Sequence, residues 1–301
     1  MSEIESKKKV LILGASGMLG NAIFRYFHET DMHQVYGTLR SLSDYSFFLS
    51  SEKENLIVGL DVSNFDSVAN LLSHIKPDVV INCIGVVKQS EQMDDMLDVV
   101  SLNSMLPHRL SMLCDLVGSR LIHVSTDCVF TGKNGMYKET DVSDSCDSYG
   151  ASKRLGEVSD RNSVTIRTSI IGHEIRTNKS LVDWFLSSEG EVQGYKRAVF
   201  SGLPTITLAK VLHDYVVPKP ELEGLFHLSV APISKYKLLK KINETYKTGR
   251  EISKNESFVI DRSLDSTKFR LATGWIAPDW DSLVDEMHCD YKKVKLRNNN
   301  V

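Results

Sequence analysis

No apolar run in this 301-residue chain approaches the roughly 20 residues that span a bilayer. The opening residues, MSEIESKKKV, lack the apolar core of a secretory signal. An excess of charge is also missing. The net charge is −3, which gives no reason to expect a nucleic acid or an anionic membrane as partner. The Lys7-Lys8-Lys9 run reads as a solvated lead-in to a strand, not as a binding patch. The five cysteines (Cys83, Cys114, Cys128, Cys146 and Cys289) are scattered without a CxxC, so neither a zinc site nor a disulfide framework is suggested. No metal-ligand cluster stands out. Reduced thiols in a cytoplasm fit this usage. What is present is ordinary for a globular chain, 42% hydrophobic and 25% charged, and long enough for one or two domains. There is no internal repeat and no long linker.

The first informative stretch is Val10-Leu11-Ile12-Leu13, a short apolar run of the kind a strand buried on both faces needs. Gly14-Ala15-Ser16-Gly17-Met18-Leu19-Gly20 follows at once, and a helical pattern continues through Ala22, Ile23, Tyr26 and Phe27. A glycine turn between a strand and a helix lets backbone approach a pyrophosphate, which the helix N-terminus then holds. Gly14, Ser16, Gly17, Met18, Leu19 and Gly20 are therefore candidate cofactor contacts, with Gly20 allowing close helix–strand packing. The second strand, Gln34 to Arg40, ends without the acid that would accept hydrogen bonds from a ribose 2′-OH. Arg40 can pair with a 2′-phosphate instead, so NADP(H) is expected rather than NADH. Leu56 to Asp61 reads as a third strand. Asn64 to Ile75 reads as a helix, with Val68, Leu71, Leu72 and Ile75 at helical spacing. The fourth strand, Val79 to Gly85, makes Cys83, Ile84 and Gly85 candidates as well, because ligands sit beyond such strand ends. Cys83 also reads as a plain core thiol. Lys88 follows as a candidate lining residue, and a long helical stretch runs from about Glu91 to Val117, with Pro107 marking a kink or break.

Leu121-Ile122-His123-Val124 is a fifth strand running into Ser125-Thr126-Asp127, and Tyr149-Gly150-Ala151-Ser152-Lys153 opens the next helix. On a helix Tyr149 and Lys153 share a face. A phenol beside a fixed cation is expected to have a lowered pKa and to pass protons near neutral pH. The spacing alone selects nothing, because Tyr215/Lys219, Tyr236/Lys240 and Tyr291/Lys295 repeat it. Only Tyr149 follows a strand–glycine loop, a fourth strand ending in glycine and a fifth ending in hydroxyls.

The GxxGxxG spacing resembles the extended short-chain dehydrogenases/reductases. The segment STDCVFTGKNGMYKETDVSDSCDSYGASKRLGE resembles the dTDP-4-dehydrorhamnose reductase family. The likeness continues through Val164 to Ser169, Gly224 to His227 and Arg262 to Asp265, nearly the whole chain. It implies a Rossmann-type doubly wound α/β sheet with a smaller substrate domain. It implies an NADPH-dependent reductase that turns the C4 carbonyl of a nucleotide-linked 4-keto-6-deoxy sugar into a hydroxyl, in surface polysaccharide synthesis. Carried over by position, Thr126 bonds the carbonyl with Ser125 beside it. Tyr149 is the acid, and Lys153 lowers its pKa and holds the nicotinamide ribose. Asp61-Val62 lies at the adenine contact, and Asn103 stands near the catalytic residues. Asp127 and Thr168 join the substrate side. Cys128 departs from the usual tyrosine. GDP-fucose synthases carry cysteine there and use it with a histidine to invert C3, so a combined epimerase–reductase is an alternative, with His173 the histidine close in sequence. A non-catalytic NADP-binding regulatory subunit is another, since one subunit of methionine adenosyltransferase resembles this fold.

Beyond Gly172, Ser180 to Leu186 reads as a short amphipathic helix, and residues 190–205 as loops rich in Gly, Tyr and Arg. Such loops suit a nucleotide pocket, with Arg197 for the diphosphate and Trp184 and Tyr195 for its walls. The expected division is a cofactor domain over 7–172 with returning segments near 205–230, a substrate domain over 173–204 and 231–291, and a disordered tail over 292–301. A homodimer is the expected assembly.

Overall fold

The computed structural model describes residues 7–88 and 91–298. In chain order its strands are β1 (Lys9–Leu13), β2 (Gln34–Leu39), β3 (Leu56–Val58), β4 (Val79–Asn82), β5 (Arg120–Thr126), β6 (Ser163–Thr168), β7 (Ile170–Ile171), β8 (Val192–Phe200), β9 (Leu203–Pro204), β10 (Gly224–His227), β11 (Ile233–Ser234) and β12 (Ile252–Asp261). The α-helices are α1 (Met18–Thr30), α2 (Ser50–Lys53), α3 (Phe65–Ile75), α4 (Met96–Val99), α5 (Leu106–Val117), α6 (Ser148–Leu155), α7 (Leu181–Ser187), α8 (Thr205–Val211), α9 (Lys235–Tyr246), α10 (Thr267–Thr273) and α11 (Trp280–Asn298). None of them is long and apolar enough to cross a membrane.

Seven strands form one parallel sheet in the order β10-β6-β5-β4-β1-β2-β3. The order reverses between β1 and β4, so the connections that leave their C-terminal ends run to opposite sides of the sheet and open a crevice between them. The expected doubly wound sheet is thus present. Val10, Leu11, Ile12 and Leu13 are fully buried, as a central strand covered by helices on both faces requires. On α1 the residues Leu19, Ile23, Phe24 and Phe27 turn one face inward. Each such side chain contributes about 1.5–3 kcal/mol on burial. The chain stops α1 at Asp31 and α3 at Lys76, both left-handed, and Asn64 caps α3 by accepting from the Ser67 amide.

Arg120, at the start of β5, is buried. Its guanidinium donates to the Val216 and Leu222 carbonyls at 2.6 and 2.7 Å and ties the returning segment to the sheet. Burial lowers its pKa to about 10, still high enough to keep the charge at neutral pH.

The second lobe is a three-stranded sheet, β11-β8-β12, backed by α9. Here the reading of residues 190–205 as loops is corrected: Val192–Phe200 is a nine-residue strand. Its inward positions, Val192, Gly194, Ala198 and Phe200, are buried, while Gln193, Tyr195 and Arg197 face outward. The exposed polar half hid the strand. The expected disordered tail is corrected as well. Residues 292–298 continue α11, and only 299–301 lie outside the described residues. α11 also belongs to both lobes, because it packs on α9 and α8. Its Asp290 takes a two-pronged bond from Arg25 on α1, at 2.9 Å each. Arg297 pairs with Glu29 and with the buried Glu52.

Arg297→Ala removes the charge partner of buried Glu52, and hydrogen bonds to charged groups contribute about 1.5–3 kcal/mol. Urea denaturation is expected to show a loss of that order. An unchanged midpoint would return the segment to a free tail.

Candidate active site

The glycine loop lies at the C-terminal end of β1. Gly14 is left-handed (φ 83°), and a Cβ on Gly20 would sit 2.1 Å from the Gly14 carbonyl oxygen, so only glycine lets α1 press this closely on the loop. The loop is pinned to β2 from both sides, by the Gly14 amide on Thr38 Oγ1 (3.0 Å) and the Ala15 amide on the Thr38 carbonyl (2.9 Å). α1 starts at Gly17 with no side-chain cap and no acidic residue in its first turn. Its first amides and the positive end of its dipole therefore face the crevice without a competing carboxylate. Arg40 is exposed at the end of β2, close enough to Asp61 to hold that carboxyl down, although the Ser63 hydroxyl and amide act on it more strongly. Val62 is half-buried beside Asp61.

The catalytic candidates meet at the end of β5. Thr126 caps the short turn Asp127–Val129 by accepting from the Cys128 amide at 3.1 Å, and Asp147 caps α6 by accepting from the Gly150 amide at 2.8 Å. A Cβ on Gly150 would stand 2.2 Å from the Cys128 carbonyl oxygen. Glycine there lets α6 rest directly on that turn and brings Tyr149 close enough to Thr126 for that hydroxyl to act on the phenol. Lys153, one turn on, is buried and donates to the Val124 carbonyl at 2.8 Å.

The electrostatics correct one expectation. Burial pushes the Tyr149 phenol above its ordinary value, with Cys128, Asp127 and Asp147 adding to the rise and the Thr126 hydroxyl opposing it. Lys153 is not among the charges that set it. The lysine itself is lowered to about 8 by burial, against the attraction of Glu157 and Cys83. The Cys83 thiol is pushed up to about 12 by burial, so it stays a protonated core group.

Asn103 sits where the helix from Met96 to Val117 widens into a π-helical turn over Val100–Met105. That turn, rather than Pro107, is the irregularity. Such turns interrupt the regular bonding and aim a side chain off the helix. Fully buried Asn103 accepts from the Val86 amide (2.8 Å) and donates to the Val86 carbonyl (3.0 Å) and to Ser152 Oγ (3.1 Å). It fastens the loop after β4 to α6. A Cβ on Gly85 would lie 2.9 Å from Asn103 Oδ1 and 3.9 Å from Lys153 Nζ, which brings Ile84 and Gly85 to the edge of the catalytic group.

Other candidates divide sharply. Thr168 is buried on β6, in register with Thr126. Ser125 does not face the phenol: its hydroxyl donates to Glu157 at 2.7 Å, in a network completed by the Arg167–Glu157 pair. Lys88 reaches Asp147 at 3.0 Å, at the mouth of the site. Burial raises the Asp127 carboxyl, and Arg262 pulls it back. Cys128 accepts from Arg262 at 3.4 Å, and burial, reinforced by Asp127, pushes its thiol up to about 12. His173 does not meet it. Both His173 nitrogens are taken elsewhere, by Asp183 at 2.5 Å and the Tyr246 hydroxyl at 2.8 Å. Trp184, Tyr195 and Arg197 are exposed on α7 and β8. Tyr195 packs edge-on against Phe258.

Three site residues escaped the sequence reading. Asp147 carried a helix-cap signal, since it precedes the first helical turn. Arg262 lay inside the RSLD match but had no assigned role. Lys235 had no local signal at all. It opens α9, lies 4.2 Å from the Phe200 ring centroid, and is lowered to about 8 by burial, against the attraction of Asp127 and Cys128.

The chain matches the RmlD substrate binding domain family over residues 8–291. It is similar to a dTDP-4-dehydrorhamnose reductase from Aggregatibacter actinomycetemcomitans, 26% identical over 234 residues that make up 74% of each chain. It is also similar to methionine adenosyltransferase 2 subunit beta from Bos taurus, 25% identical over 236 residues, 74% of this chain and 67% of that one. Among solved structures, dTDP-4-dehydrorhamnose reductase from Bacillus anthracis in complex with NADP shares the fold, with a TM-score of 0.78 at 19% identity over 95% of this chain and 100% of that one. With its doubly wound sheet and its Thr126–Tyr149–Lys153 group, the chain belongs to the RmlD substrate binding domain family.

Proposed function

We propose that the protein is an NADPH-dependent reductase of a nucleotide-linked 4-keto-6-deoxy sugar. The observation that carries this is the gathering of Thr126, Tyr149 and buried Lys153 at the end of β5, at the edge of a crevice floored by the glycine loop. The crevice fits a dinucleotide on its own terms: the loop is too tight for side chains, and α1 begins with uncapped amides. The Aggregatibacter relative and the NADP-bound neighbour support the sugar and the cofactor by analogy.

Bound NADPH supplies the hydride that the C4 carbonyl receives. Thr126 and Tyr149 hold the carbonyl oxygen between two hydroxyls. The raised phenol is protonated at neutral pH, the state a proton donor needs. It is a weak acid, yet an alkoxide forming at O4 is a stronger base than a phenolate, so the transfer runs downhill. Lys153 keeps most of its charge at pH 7 and sits where the nicotinamide ribose would lie, next to Gly85. Arg262 and Lys235 add positive charge beside Asp127, which suits an anionic substrate better than exposed Arg197 does.

The bovine relative favours one other reading, a regulatory subunit that binds NADP without turnover. A panel of dTDP-, UDP- and GDP-4-keto-6-deoxy sugars, followed at the reduced nicotinamide band, separates the two. Oxidation with at least one sugar is expected, and tight NADPH binding with no oxidation would favour the regulatory subunit. In that assay Tyr149→Phe is expected to lower kcat by about 10²–10⁴, the usual span for a lost acid, with NADPH binding retained. Unchanged turnover would remove Tyr149 from the role.

The pH dependence has a definite sign. Lysines lowered to about 8 lose their charge as pH rises through that value, while the raised phenol keeps its proton. The ratio kcat/KM is therefore expected to fall above about pH 8, as it reports groups of the free enzyme. A profile flat to pH 10 would contradict the need for either cation.

A further inference from the structure

The segment between β7 and α7 is built as a strap, and its apex carries Arg176 onto the glycine loop. The base of the strap is firmly held. Ser180 Oγ lies within 3.0 Å of both the Gly172 carbonyl oxygen and Asp183 Oδ2, either of which can accept its one proton, and the Glu174 amide donates to the same carboxylate oxygen at 2.7 Å. His173 is clamped between Asp183 and Tyr246 and stacks on Tyr291 with ring centroids 4.0 Å apart. Across the strap, the Glu174 carboxylate accepts from the Thr177 hydroxyl and, at 3.0 Å, from the Lys179 amide. A segment fixed this way delivers its apex to one place.

That place lies between the two parts of the crevice that meet phosphate. Arg176 Nη2 donates to Ser16 Oγ at 3.2 Å, inside the glycine loop. The same guanidinium pairs with Asp44, in the turn Leu42–Phe47 that follows β2. Asp44 is 1% exposed, so an anion arriving there without Arg176 would face a buried carboxylate. The Arg176 side chain is 46% exposed and reaches solvent from its pair. Guanidinium has five donors in a planar fork that matches phosphate oxygens, and the contacts named here use only part of it.

We propose that Arg176 is a phosphate-binding residue of the cofactor site, which masks Asp44 and presents its remaining donors to a phosphate of the dinucleotide. This rests on reading the crevice as a dinucleotide site and adds a residue from the strap that leads into α7. It also ties cofactor binding to the substrate lobe, because Asp183 at the base of the strap is the first-turn acid of α7. Two phosphates of NADPH are within the chemistry: the pyrophosphate at the glycine loop and the 2′-phosphate at the end of β2.

The test is direct titration of full-length protein with NADPH and with NADH, by calorimetry or nicotinamide fluorescence. Arg176→Gln is expected to weaken NADPH by about tenfold or more, the effect of losing one charge-assisted contact. Equal weakening of NADH assigns the pyrophosphate, and weakening of NADPH alone assigns the 2′-phosphate. Binding of both nucleotides within about twofold of wild type, a gap of only ~0.4 kcal/mol, would overturn the proposal. A wild-type protein that binds neither nucleotide would instead overturn the cofactor reading beneath it. If Arg176→Gln lowers the thermal midpoint, Arg176→Lys keeps a charge beside Asp44 but loses the fork. It is expected to bind NADPH about threefold or more weakly, and equality with wild type would again overturn the contact.

Discussion

The site depends on one buried cation. Lys153 is enclosed by β5, α6 and the loop after β4, and its ammonium is held by a backbone carbonyl rather than a carboxylate. A buried charge with so little compensation is costly, and it persists only where the surroundings fix it from several sides. Here they do. The Gly150 contact sets the height of α6 on the Asp127–Val129 turn, Asp147 sets where the helix begins, and Asn103 ties Ser152 to Val86. Tyr149 takes its position from the same helix. The geometry that keeps the lysine buried is also what delivers the phenol to Thr126.

The phenol and the lysine are nevertheless shifted in opposite senses. The expectation that Lys153 would lower Tyr149 treated nearness on a helix as electrostatic coupling. Burial dominates both groups and moves them in opposite senses, the phenol up and the ammonium down. The phenol therefore carries its proton through the neutral range, while the lysine loses its charge just above it. Around them Lys235 and Arg262 stand beside Asp127 and Asp147, and Cys128 stays a thiol. His173 is held by Asp183 and Tyr246, away from that thiol.

The sheet and the catalytic group were legible because their signals are local. β1 and β4 are continuous apolar runs, the glycine loop joins its strand to its helix within seven residues, and Tyr149 and Lys153 lie one helical turn apart. What escaped was set by distant partners. β8 carries polar and charged residues on an open face, so its alternation looked like loop, and its parallel partner β12 lies beyond the intervening α9. The end of α11, from residue 292, looked like a disordered tail until Glu29 and Glu52, more than 240 positions earlier, supplied partners for Arg297. Lys235 and Arg176 are ordinary cations in sequence, and only the packing of α9 on β8 and the anchoring of the strap bring them to the crevice.

Under the proposed function, a hydride moves to a sugar carbonyl in this crevice while Tyr149 supplies the proton. The most direct test uses NADPH deuterated at the transferring C4 position, with a nucleotide-linked 4-keto-6-deoxy sugar in ordinary water. Proton and deuterium NMR of the product are expected to show deuterium at sugar C4 and none at the carbons beside it. A reduced sugar with ordinary hydrogen at C4, or NADPH consumed with the C4 carbonyl intact, would contradict the account.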